Sequence, residues 1–177
     1  MKQGIFTIEE NRPLTASVWQ MRLTGETDAI TGPGQFVNLK IDGLYLRRPI
    51  SVCDRTDGRL TLVYKVVGKG TEAMAAMKAG GKLDLLTGLG NGYDLRDAGE
   101  RPLLIGGGVG VPPLYLLAKD LLAQGKAVSV ILGFNTRDEV FYENEFRALG
   151  ADVTVTTVDG SYGVKGFVTA AMERDYT

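Results

Sequence analysis

The hydrophobic pattern of this chain changes its period once, near residue 100, and that change limits what it can fold into. Before it, apolar residues recur over short runs at 5–9, 18–23, 36–41, 48–54, 60–66 and 82–86, punctuated by "TGPGQ" (31–35), "DG" (57–58) and "AGG" (79–81). Leu60, Leu62 and Tyr64 alternate with Thr61, Val63 and Lys65, which predicts one favoured buried face. A single short helix interrupts the strands at "GKGTEAMAAMKAGG" (68–81), with Thr71 read as its cap and Gly80 as its left-handed end. Met74 and Met77 on that helix are read as core. Six strands and one helix predict a small antiparallel barrel.

After the change, apolar strands alternate with helices. "RPLLIGG" (101–107), "AVSVILGF" (127–134) and "ADVTVTTVDG" (151–160) read as strands. "VPPLYLLAKDLLAQG" (111–125) and "YENEFRALG" (142–150) read as helices, and another starts near Phe167. This alternation predicts a parallel sheet covered on both sides. The polar, Gly-rich "GLGNGYDLRDAGE" (88–100) marks the junction, giving domains at 1–99 and 100–177. Three parallel strands fall short of the five or six in a standalone dinucleotide-binding domain, so the second is read as partial.

None of the 177 residues is histidine. Ser-His-Asp triads, Cys-His pairs and His-liganded zinc sites are therefore excluded, and an enzyme of this composition relies on a bound cofactor. Cys53 is the single cysteine, which excludes an intrachain disulfide and a cysteine-ligated cluster built by this chain alone. A buried, inert thiol is the expectation for it, and the cytoplasm the expected compartment. A net charge of −1 speaks against nucleic acid as a partner. No apolar run reaches the roughly 18–20 residues of a membrane span.

"YLRRPISVCD" (45–54) has a strand's outline interrupted by two arginines and a proline. Pro49 cannot donate to a ladder and belongs at an edge or bulge. Arg47 and Arg48 read either as surface ion pairs or as an anion site. "GKGT" (68–71) alone is an ordinary capped turn; paired with Arg48 it supplies backbone donors beside a bidentate cation, which suits a diphosphate. Ser51 offers a hydroxyl to a ring beyond it. "LIGGGVGVPPL" (104–114) places Gly107, Gly108 and Gly110 between a parallel strand and a helix, the usual seat of a dinucleotide phosphate. It is not a clean G-x-G-x-x-G, because Val111 stands where the last glycine would be. Asp159, in "DGSYG" (159–163), should lie at the same sheet edge, as a simple turn or on the nucleotide side.

"LRRPIS", "VYK", "GKGT", "LGNGY", "GGGVGVPPL", "LGF" and "DGSYGVKGFVT" occur in that order. This ordered set resembles the electron-transfer subunits of NAD-dependent dihydroorotate dehydrogenase, within the ferredoxin–NADP reductase superfamily, over residues 4–172. The resemblance implies an FAD-binding Greek-key barrel followed by an NAD(H)-binding domain. It assigns Arg48, Pro49, Ile50 and Ser51 to a flavin strand, with Ser51 near flavin N5. Val63, Tyr64 and Lys65 become a flavin-lining stretch, and Gly70 with Thr71 a diphosphate turn. Ile50 stands where the superfamily stacks an aromatic, so aliphatic contact or another group replaces it. The flavin carries the chemistry, and no side chain need act as acid or base. Electrons would come from an FMN-bearing dihydroorotate dehydrogenase partner, heterotetrameric in the family, and pass to NAD⁺ within pyrimidine synthesis. The family continues with a further strand and a four-cysteine 2Fe–2S tail whose ligands are absent from this sequence. Two other functions fit the same motifs: a reductase subunit of a related ferredoxin/NAD(P) oxidoreductase, and a non-catalytic nucleotide-binding module.

Overall fold

The computed structural model describes residues 1–176. It divides into two compact units, Met1–Tyr93 and Asp94 onward.

In the first unit β1 (Lys2–Pro13), β2 (Val18–Thr24), β3 (Phe36–Leu39), β4 (Arg48–Thr56), β5 (Arg59–Lys65) and β6 (Lys82–Leu89) close into a barrel ordered β1-β2-β5-β4-β3-β6. All neighbours are antiparallel, and the order places β2 beside β5 and β3 beside β6, a Greek-key arrangement. β1 outruns its expected length because its first half pairs with β6 and its second with β2. One residue from each strand, Phe6, Met21, Leu39, Val52, Leu62 and Leu85, is sealed in the interior. Each contributes roughly 1.5–3 kcal/mol by leaving water. Val63 is buried as well, so the expected alternation of β5 breaks there.

The helix α1 (Lys69–Ala76) differs from expectation at both ends. Gly68, not Thr71, occupies the N-cap position. Thr71 sits inside the first turn, where its hydroxyl accepts from the Val67 and Gly68 amides (2.9 and 3.2 Å) and donates to the Gly68 carbonyl (3.0 Å). Gly80 does not end the helix: Met77 is already extended, and Gly80 (φ +86°) shapes the turn into β6, its amide donating to the Ile8 carbonyl. A side chain from β1 does the work expected of a glycine. The Asn11 amide donates to the carbonyls of Met74 (2.8 Å), Met77 (3.1 Å) and Ala75 (3.4 Å), while its oxygen accepts from the Tyr64 hydroxyl (2.9 Å). Met74 is fully buried, as expected of core, whereas Met77 lies beyond the last turn of α1 and is only partly buried.

The second unit is a parallel sheet ordered β10-β9-β8-β7, from β7 (Leu103–Gly107), β8 (Ser129–Phe134), β9 (Asp152–Thr157) and β10 (Val164–Lys165). β10 adds a strand to the three expected; two residues are too few to show a period. The helices are α2 (Pro112–Ala123), α3 (Glu143–Leu149) and α4 (Val168–Tyr176). A β-carbon on Gly106 would meet Leu114 of α2 at 2.7 Å, and one on Gly133 would meet Val168 of α4 at 2.6 Å. Gly107, not Gly106, is level with Gly133, so these two glycines lie on opposite faces and α2 and α4 cover both sides. Edge-to-face rings of Tyr115, Tyr142 and Phe146 join α2 to α3.

Asn11→Ala strands the buried Tyr64 hydroxyl and frees the end of α1. A loss of about 2–3 kcal/mol is expected in urea unfolding, against about 1 kcal/mol for Tyr64→Phe, which keeps the helix contacts.

Candidate functional site

β4 and β5 pair only along part of their length. Their register runs Val52↔Leu62, Asp54↔Thr61, Arg55↔Leu60 and Thr56↔Arg59, with a bulge at Cys53. Above it the strands part: Arg48–Ser51 pairs with β3 alone, and Val63–Lys65 with β2 alone. The two stretches singled out in sequence thus face each other as strand edges unpaired with one another. Pro49, with no N–H, sits on that locally opened edge, and the bulge begins just beyond it. Backbone donors and acceptors left this way call for a partner.

The doubled arginine resolves into two roles. Arg47 is anchored: its guanidinium makes paired contacts of 3.1 Å to Asp84 and further bonds to the Asn38 and Asp84 carbonyls. Among the described residues no carboxylate pairs with Arg48. Its guanidinium donates to the Leu46 carbonyl and lies against Gly70, where a β-carbon would stand 2.2 Å from Nε and 2.9 Å from Cζ. The arginine strand and the glycine turn therefore meet, as the anion site requires. The amides of Lys69, Gly70 and Thr71 open α1 and have no acceptor within the helix. Cation and N–H donors together fit a diphosphate.

The remaining barrel residues sort by exposure. Ser51 and Ile50 are partly exposed and Lys65 is exposed. Tyr64 and Val63 are both buried, 2% and 4% exposed, and as neighbours on β5 they lie on opposite faces of the strand. The Thr71 hydroxyl is spent on Val67 and Gly68 and offers a ligand nothing; its amide remains. Cys53 is fully buried.

In the second unit Gly107 ends β7 and Gly108 and Gly110 lie in the turn after it, where a β-carbon on either would meet nothing within 4 Å. Gly106 is the packing glycine. Val111, where a third glycine was wanted, is fully buried, and its amide is used by the Gly108 carbonyl (3.1 Å). Pro112 and Pro113 open α2 without N–H groups. An anion here would be met by the turn's backbone, not the helix. Asp159 follows β9 at the same sheet edge, where its amide donates to the Asn135 carbonyl. The Ser161 hydroxyl and amide (2.7 and 2.9 Å) hold its carboxyl below the usual range and fix its turn. Sequence reasoning missed Asn11, Asp84 and the inward course of Tyr64. Asp84 lies far along the chain from Arg47, and no local pattern signals such a pair.

A closed Greek-key barrel bearing a cation-and-amide cradle, with a parallel α/β unit after it, defines a ferredoxin reductase-like oxidoreductase. A solved structure of an NADH-dependent reduced ferredoxin-NADP oxidoreductase, described for flavin-based electron bifurcation, matches with a TM-score of 0.86 at 33% identity, over 96% of this chain and 62% of that one. Phthalate dioxygenase reductase, described as a modular structure for electron transfer from pyridine nucleotides to 2Fe–2S, shares the fold at 18% identity, TM-score 0.76, over 88% and 52%. No family model matches the chain. The dihydroorotate dehydrogenase B (NAD(+)) electron transfer subunit of Fusobacterium nucleatum is 45% identical over 98% of this chain and 70% of its own length. That of a Geobacillus species is 42% identical over 96% and 68%. The chain belongs to this family of electron transfer subunits.

Burial pushes the Tyr64 phenol up to about 12, with the Asn11 bond opposing in part. The unfolded phenol ionises first, so this contribution is intact below about pH 10 and is lost as pH rises through about 12. Alkaline unfolding should show Tyr64→Phe losing less stability over that window than the parent; parallel curves would contradict it. Gly70→Ala should leave stability within about 1 kcal/mol, since alanine favours the helix. Its methyl displaces Arg48, so FAD affinity should fall at least about tenfold in a fluorescence titration.

Proposed function

We propose that the first unit holds FAD, the second binds NAD(H), and the chain passes reducing equivalents between them. Its source of electrons would be an FMN-containing subunit that oxidises dihydroorotate. The observation that carries this is Arg48, a cation without a carboxylate partner among the described residues, resting on Gly70 at the start of α1. Family membership supports the substrate and the partner. Bound flavin supplies hydride exchange and single-electron transfer.

The chain's own residues bind and orient. Arg48 neutralises the diphosphate, and the Lys69, Gly70 and Thr71 amides share its remaining charge. The opened edges of Arg48–Ser51 and Val63–Lys65 offer N–H and carbonyl groups to the polar rim of the isoalloxazine. Ile50 gives it aliphatic contact where an aromatic would stack. The Ser51 hydroxyl is assigned to flavin N5, where it positions the ring and moves no proton. In the second unit the Gly107–Gly110 turn receives the nicotinamide dinucleotide's phosphates, and Asp159 borders them. Among the described residues no helix is long and apolar enough to cross a membrane. A cytoplasmic setting belongs to this reading, supported by the lone, buried Cys53 thiol.

Arg48→Ala should weaken FAD binding by about 1.5–3 kcal/mol, the range for a charged hydrogen bond. Titration of flavin-free protein measures this directly, and an unchanged dissociation constant would remove Arg48 from the site. NADH added to the FAD-loaded chain should bleach its blue absorbance under anaerobic conditions. A persistent spectrum would mean that the second unit does not deliver hydride.

A further inference from the structure

Two glycine loops flank the start of β3, and one buried side chain joins them. Gln35, 6% exposed, lies just before Phe36. Its carboxamide oxygen accepts from the Thr31 amide (2.7 Å), the Thr31 hydroxyl (3.3 Å) and the Gly32 amide (3.3 Å). Its nitrogen donates to the Gly90 carbonyl (3.0 Å), in the loop after β6. Only this orientation of the carboxamide fits, since N–H groups face its oxygen and a carbonyl faces its nitrogen. The loops also mesh directly. The Tyr93 amide donates to the Pro33 carbonyl (2.9 Å), and a β-carbon on Gly34 would meet the Tyr93 ring at 2.7 Å. The motifs "TGPGQ" and "LGNGY" are thus two halves of one clasp.

The clasp grips β4 where that strand leaves its partner. Phe36 is level with Ser51, and the Gln35 carbonyl takes the Val52 amide (3.0 Å). Val52 is also where the pairing of β4 with β5 stops. From there to Arg48 the strand is held by β3 alone, which is four residues long. A buried carboxamide with partners at both ends enforces one geometry, because any shift leaves a polar group unpaired. We propose that Gln35 is a positioning residue for the flavin: by fixing the start of β3 between two loops, it sets where Ser51 stands against the ring. The proposal rests on the FAD assignment above and deepens it. Arg48 is level with Leu39, four residues or about 13 Å further along, so the diphosphate contact lies outside the clasp.

Two variants divide the clasp. Gln35→Glu keeps the acceptor but sets a carboxylate against the Gly90 carbonyl, while Gln35→Met removes both ends at similar length. In the flavin-free full chain, amide exchange followed by NMR should show Val52 losing protection at least about tenfold in both. With FAD bound, the flavin's visible absorption band should move. Its rate of reduction at saturating NADH should fall at least about tenfold, since a misplacement of about 1 Å can cost about a hundredfold. The NADH concentration giving half that rate, and the FAD dissociation constant, should stay within about threefold of the parent. Unchanged Val52 protection would overturn the clasp. Protection lost with the flavin band and rate unmoved would overturn the positioning role, as would an FAD affinity that falls as far as the rate. Should Gln35→Met not fold, the isosteric Gln35→Glu decides on the same readouts. If the parent binds no flavin, the flavin site itself falls and the positioning role with it. If it binds FAD and both variants match it, the flavin site stands and the positioning role is refuted.

Discussion

The contact between the Arg48 guanidinium and the bare backbone of Gly70 joins two segments that are otherwise separate features of a barrel. Two conditions keep it. Gly70 has no β-carbon, so a charged side chain can rest where a methyl group would exclude it. Asp84 takes Arg47, so the neighbouring carboxylate is already satisfied and Arg48 keeps its charge uncommitted. Exchange of those roles would tie the guanidinium beside Gly70 into an ordinary half-buried ion pair.

Around that contact the barrel leaves hydrogen-bonding capacity unspent. A closed barrel normally removes every strand edge, yet here β4 and β5 separate beyond Val52 and Leu62. The bulge at Cys53 and the missing amide of Pro49 both end pairing there, so the opening is written into β4 itself. What the strands forgo in ladder bonds is offset nearby. Asn11 binds three carbonyls at the end of α1 and the Tyr64 hydroxyl beneath it, holding the helix whose other end faces the opening. The site thus combines a rigid support with a deliberately unsatisfied edge.

The second unit divides its glycines by task. Gly106 and Gly133 let α2 and α4 approach opposite faces of the sheet, while Gly107, Gly108 and Gly110 keep a turn clear of side chains. Prolines at the start of α2 remove the amides on which most helix-bound phosphates rely. The buried Val111 fills the position of a third glycine with core. An anion bound at this turn would be met by loop backbone and not by helix amides, in line with a sequence that departs from the usual dinucleotide fingerprint.

By itself the sequence determined the two architectures, because period-two and strand–helix patterns are local and each implies one kind of sheet. It also offered a cation and a glycine turn as candidates for one site, since each is written in a short run of residues. Only the tertiary structure decided which arginine is available, because Asp84 reaches Arg47 from another strand. It decided too that Thr71 serves its own loop and that Tyr64 faces inward, since a hydroxyl's partner is set by space and not by spacing. The end of α1 belongs to Asn11 and the fourth strand to a two-residue pairing, and neither leaves a periodic trace. What is repeated along the chain was legible; what is met across it had to be folded first.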